Sequence, residues 1–149
     1  MIQRKQTIFM LLAVICSIVS LCMPLGELLP QGMGVSDTVY NLWVKSGSGS
    51  YSYGVLPLFV LQLITVPVGI AAIFLYHKRL LQARLCLINM FLLVVWYIFA
   101  VIKVTGVSTM SFAPNFAFCL PLIAEILWFM ARKGIISDEK KVRAADRIR

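Results

Sequence analysis

Residues 55–102 read VLPLFVLQLITVPVGIAAIFLYHKRLLQARLCLINMFLLVVWYIFAVI. Two apolar runs, about Val55 to Tyr76 and about Leu80 to Ile102, are joined by the short basic turn His77-Lys78-Arg79. A bilayer core takes about 20 apolar residues of helix per crossing. Each run has that length, and neither carries a base in its middle. A join this tight makes the runs an antiparallel pair, and its bases assign it to the cytoplasmic side. Working outward, a further apolar run spans about Thr7 to Leu25 and another about Phe112 to Ala131. The expected fold class is therefore an all-α membrane protein, a bundle of four transmembrane helices over residues 1–134. Residues 26–54 form its outer loop, two tight connections join the later spans, and 135–149 form a cytoplasmic amphipathic tail.

Composition agrees. Of 149 residues, 60% are hydrophobic and 13% charged, with a mean hydropathy of +0.90. Soluble domains sit nearer about 45–50% apolar and about 25% charged. A soluble enzyme, a disordered chain and a disulfide-stapled secreted module are excluded on these figures.

The net charge of +8 is unevenly spread. Arg4 and Lys5, then Lys78, Arg79 and Arg84, then Arg132, Lys133, Lys140, Lys141, Arg143, Arg147 and Arg149 fall on one side of the expected bundle. Only Lys45 and Lys103 fall on the other. Bases stay cytoplasmic, so both termini are expected on the cytoplasmic side of the membrane. Arg4-Lys5 ahead of an apolar run also has the look of a signal peptide. The run exits through Leu21-Cys22-Met23-Pro24, without the small residues of a cleavage site, and Leu21 spoils a lipoprotein box. An uncleaved first helix is expected.

Little in the chain points to catalysis. Cys16, Cys22, Cys86 and Cys119 all fall within the spans and form no CxxC pair, so they read as small apolar residues rather than a redox centre. His77 is the single histidine, beside a lysine, and no metal or cofactor site is expected. Phosphate-binding glycine loops are absent. In the outer loop, Val39 to Val44 has strand-forming residues, 45–50 is a Gly/Ser turn, and Tyr51 with Tyr53 marks a second extended piece. The expectation is a short β-hairpin. Tyr40, Trp43, Tyr51 and Tyr53 read as an interfacial aromatic belt ahead of a ligand surface.

Within the spans the acid is Glu125, which insertion scales penalise by about 2.5–3.5 kcal/mol when charged. It lies about 10 Å from Arg132, and Asn89 about 7 Å from Arg84, at the helical rise of 1.5 Å per residue. Antiparallel neighbours would bring Asn89 and Glu125 to similar depth, and Gln62 could extend an intramembrane polar site. The readings are a proton or cation site, or interhelical glue. Pro121 frees the carbonyl of Ala117.

In the tail, Gly134 reads as the stop of the fourth helix and Ser137 as the N-cap of a separate one, with Asp138 and Glu139 in its first turn. Glu139 and Arg143 are spaced as an i,i+4 pair. About twelve residues are marginal for a lone helix, so the tail needs a surface: the bundle, the leaflet or a protein. The candidate cytoplasmic contact is Arg4, Lys5, Arg79, Arg84, Asp138, Glu139, Arg143, Asp146 and Arg147. Nucleic acid is not expected, because aromatic stacking residues are lacking.

Three segments, Met1-Ile-Gln-Arg-Lys-Gln-Thr7, Ile73 to Leu85, and Asp138-Glu-Lys-Lys-Val-Arg-Ala-Ala-Asp-Arg-Ile-Arg149, resemble one family: small four-helix inner-membrane proteins of Bacteroidota with a domain of unknown function. The resemblance spans the chain, with His77-Lys78 departing from a more common Lys-Asn. It implies the same membrane and topology, no activity, and a contact on the cytoplasmic face. The expected function is a non-enzymatic scaffold or accessory subunit docking a cytoplasmic or membrane protein partner. The alternative is a small transporter or channel subunit using Glu125. No oligomeric state is specified.

Overall fold

The computed structural model describes residues 2–30, 32, 34–106 and 110–146. Four helices dominate it: α1 (Ile2–Cys22), α2 (Leu56–Phe74), α3 (Arg79–Thr105) and α4 (Phe116–Asp146). They run up, down, up and down, so that each packs against two neighbours in the cyclic order α1, α2, α3, α4. The Lys5–Cys22, Leu56–Phe74 and Arg79–Val104 segments are each long and apolar enough to cross a membrane. Much of their apolar surface points outward, for example at Ile15, Leu63, Phe91 and Val94, a surface compatible with contact to a lipid bilayer.

The chain is mostly helical but not all-α. At one end lies a five-stranded antiparallel sheet in the order β4-β3-β2-β1-β5. Its strands are β1 (Gly26–Pro30), β2 (Asp37–Val39), β3 (Val44–Lys45), β4 (Tyr51–Ser52) and β5 (Met110–Pro114). The expected hairpin exists as β3 and β4, with Lys45 opposite Tyr51. It is the outer part of a larger meander. β5 takes residues expected to start the fourth helix and pairs along all of β1, from Gly26↔Pro114 to Pro30↔Met110. The helix starts only at Phe116, because Pro114 is still paired with Gly26 in the sheet and Asn115 donates its N–H to Leu25 O.

α4 also corrects the tail. It runs unbroken through Gly134 and Ser137 to Asp146, so residues 135–146 continue the fourth helix rather than form a second one. Among the described residues the only glycine with positive φ is Gly49, and Gly134 has none of the left-handed geometry of a helix stop. Its role is clearance: a Cβ there would lie 3.0 Å from Gln6 Cγ and Nε2. The missing side chain lets Gln6 of α1 lie against α4 and donate to Asp138 Oδ2 at 2.6 Å.

Two apolar clusters fill the interior. The bundle cluster holds Met10, Ala13, Ala72, Cys86, Leu93, Ala124 and Trp128. The cluster beneath the sheet holds Leu25, Leu28, Val39, Leu58, Trp96 and Ala100, with Phe112 and Phe118 against it.

The prolines determine where buried polar side chains sit. A proline leaves the carbonyl four residues earlier without its helical donor, and a polar group from elsewhere in the fold can replace it. Pro121 frees Ala117, and Ser20 Oγ of α1 reaches that oxygen at 3.4 Å. Pro24 follows α1 and leaves Ser20 O without an i+4 donor; Asn41 Nδ2 supplies one at 2.8 Å. Asn41 Oδ1 in turn accepts from Trp96 Nε1 at 3.1 Å, and all three residues are fully buried. This chain of bonds locks the sheet onto α1 and α3.

Candidate functional site

At the end opposite the sheet, α2 gives way to α3 through a single tight turn. Leu75 N–H bonds to Ala71 O, and Lys78 N–H to Leu75 O at 3.0 Å. Gln82, nearly buried on α3, donates from Nε2 to Ala72 O at 2.9 Å and satisfies a carbonyl near the end of α2. The first turn of α3 has no acid, and Lys78 at its N-cap makes no side-chain cap. The unsatisfied N–H groups of such a start carry partial positive charge. Here they add to a row of bases rather than being neutralised.

Those bases line an open groove of about 490 Å³. One wall is the turn and first helical residues, His77, Lys78, Arg79 and Arg84; the other is α4, with Glu139 and Val142. Leu80 and Leu81 complete an apolar floor and stay half exposed. A smaller cleft beside it is lined by Gln6, Thr7, Tyr76, Gln82 and Asp138, and Arg79 borders both. Asp138, occupied by Gln6, clamps α1 to α4. The rings of Tyr76 and His77 are in contact, tilted by 43° with centroids 4.0 Å apart.

Of the contact residues picked from sequence, the groove therefore brings together Arg79, Arg84 and Glu139, with Asp138 next to them in the cleft. Lys5 is exposed on the first turns of α1 and lines neither. Arg4, Arg143 and Asp146 fall on described helix, but their side chains lie outside the described set, as does all of Arg147. Lys78 and Gln82 lie inside the His77 to Arg84 connection read from sequence as part of the cytoplasmic contact, and Gln6 was not selected. Lys78 read as part of the topology signal; the two glutamines carry no motif and are identified only by what they bond.

Asn89, Gln62 and Glu125, the candidate polar trio, have separate surroundings. Asn89, fully buried on α3, faces α2 and not Glu125. Its amide takes the orientation in which nitrogen donates to Thr65 O and oxygen accepts from Gly69 N, both at 3.2 Å. Thr65 and Gly69 are i and i+4 partners of α2 flanking Pro67, so Asn89 inserts into the helical ladder where the proline disturbs it. Gln62 Nε2 reaches only to Ser17 O, at 3.5 Å, and its Oε1 has no partner. Glu125 is half-buried with Oε2 shielded and unbonded. Asn89 thus bonds its amide to the backbone of α2 rather than to α4.

Lys78, Arg79 and Arg84, with His77, against the single carboxylate of Glu139, and the half-exposed Leu80 and Leu81, give the groove a basic, partly apolar lining. Among the described residues no three of His, Cys, Asp and Glu gather to hold a metal ion. No curated protein matches the chain. One family model matches residues 2–148, and the chain belongs to that family, the domain of unknown function DUF4293.

Proposed function

We propose that the protein is a non-enzymatic, multi-pass component of a bacterial inner membrane that docks a protein partner at its cytoplasmic end. In this reading α1 to α4 cross the bilayer with both termini inside, and the sheet caps the outer end. The bias of bases toward the groove end supports the orientation. The observation that carries the docking is the convergence of His77, Lys78, Arg79 and Arg84 with Val142 on one groove. Exposed ion pairs contribute about 0–1 kcal/mol each, so single charges would not hold a partner. Several convergent bases steer an acidic segment, while Leu80, Leu81 and Val142 supply area to bury.

The test is a photo-crosslinker at Leu81 in cells, comparing the parent with an Arg79→Glu, Arg84→Glu double variant. A discrete adduct that disappears in the double variant, with the bundle still inserted, supports the reading. No adduct, or one indifferent to the charge reversal, refutes it.

A second reading rests on Glu125, whose Oε2 is shielded and unbonded. As a cation or proton site it would make the protein a small transporter subunit. Vesicle flux that is lost in Glu125→Gln would support this; absence of flux in the parent would remove it.

A further inference from the structure

The end opposite the groove holds a second cavity, of about 190 Å³, beneath the sheet. Its walls are apolar: Leu28 and Val39 from the inner sheet face, Leu58 from α2, Ala100 from α3, and Phe112 and Phe118. Among the described residues, Ser52 is its hydroxyl and Lys103 its only ionisable lining residue. Protein interiors rarely contain unfilled spaces much larger than a water molecule. An apolar space of about 150 Å³ stays dry and takes a six-carbon ring. On that scale about 190 Å³ takes seven or eight carbons.

The position of Lys103 gives the ligand its polar end. It stands in the last turn of α3, where the apolar stretch ends at Val104, and its side chain is exposed. A lysine stem can line apolar surface while its ammonium stays in water. The plainer role, complementing the C-terminal dipole of α3, leaves that ammonium available, because a dipole does not consume its hydrogen bonds. The exposed Glu27 and Lys45 do not line the cavity.

We propose that this cavity binds a medium-chain anionic amphiphile, with the chain beneath the sheet and the carboxylate at Lys103. The cavity presents an apolar interior and one cation at its mouth, the complement of a fatty-acid-type carboxylate and of neither a neutral alkane nor a polyanion. The proposal is independent of the groove and of any docking partner.

The full chain, in neutral-detergent micelles, is labelled with an octanoate analogue carrying a terminal diazirine, and adducts are mapped by mass spectrometry. The corresponding octanol analogue is the comparison. Expected are adducts on the peptides holding Leu58, Ala100 and Phe112, competed by excess octanoate. Lys103→Gln lowers carboxylate labelling up to about fivefold, the equivalent of one exposed charge pair, and leaves alcohol labelling unchanged. Ala100→Phe, which fills the space, abolishes both. If that variant does not fold, Lys103→Gln, at an exposed position, still decides. Equal labelling by acid and alcohol in parent and Lys103→Gln overturns the proposal. So do adducts as strong on the outward face at Phe91 and Val94, which report partition alone.

Discussion

Replacing Asn41 by alanine removes two bonds at once and leaves both partners buried. Ser20 O loses the donor at 2.8 Å that substitutes for the missing N–H of Pro24, and Trp96 Nε1 loses its acceptor at 3.1 Å. Each buried group left unpaired costs about 1–3 kcal/mol, so the expected loss is about 4 kcal/mol. That is a large part of a total stability of about 5–15 kcal/mol. For a chain of this size it lowers Tm by about 8–16 °C. The assay is unfolding in mixed micelles followed by circular dichroism and Trp fluorescence. A cycle with Trp96→Phe isolates one of the two bonds: without the indole N–H, Asn41→Ala should cost about 1–2 kcal/mol less. A loss below about 0.5 kcal/mol, or no coupling with Trp96→Phe, would refute the claim that proline-freed carbonyls set these positions.

The same logic applies to Ser20→Ala, expected to cost about 1 kcal/mol by orphaning Ala117 O; Pro121→Ala should suppress that cost by restoring the helical donor, as a double-mutant melt would show. Gly69→Ala sets a Cβ 2.7 Å from Val14 Cγ2 and 3.0 Å from Trp128 Cζ2, and should destabilise the bundle by about 1–3 kcal/mol in the same melt. Gly134→Ala should change stability by under about 1 kcal/mol, because gained helix propensity offsets the displaced Gln6–Asp138 bond. In a Gln6→Ala background that bond is already gone, and Gly134→Ala should stabilise by about 1 kcal/mol. A loss in both backgrounds would restore Gly134 as a helix stop.

The helices were legible because a long apolar run has few alternatives. α2 and α3 lie within two residues of the bounds read from 55–102, except where α3 extends to Thr105. The end of α4 was misread because Gly134 and Ser137 carry true local signals that tertiary packing overrides: a glycine that gives Gln6 clearance is indistinguishable in sequence from one that ends a helix. β1 and β5 were not legible for another reason. Gly26–Pro30 and Met110–Pro114 are short, end in proline and are far apart in the chain, so only their pairing makes them strands. The freed carbonyl of Ala117 was anticipated from Pro121, whereas its donor Ser20 was not, since one sequence does not tell which residue faces it. For the candidate site, the bases of the 77–84 turn were evident from charge alone; that Glu139 and Val142 stand opposite depends on α4 continuing past Gly134.

The pairing of β1 with β5 also imposes an order on biosynthesis. β1 leaves the ribosome directly after α1, whereas its partner on one side follows α3. Until then β1 pairs only with β2, over Gly26 to Leu28, and shows a row of unpaired N–H and C=O groups along its other edge. A nascent chain halted after α3 would carry an open strand edge at the sheet end of the bundle, suited to pairing with any extended segment there. β5 closes that edge shortly before α4 begins, so the last helix enters a cap that is already complete.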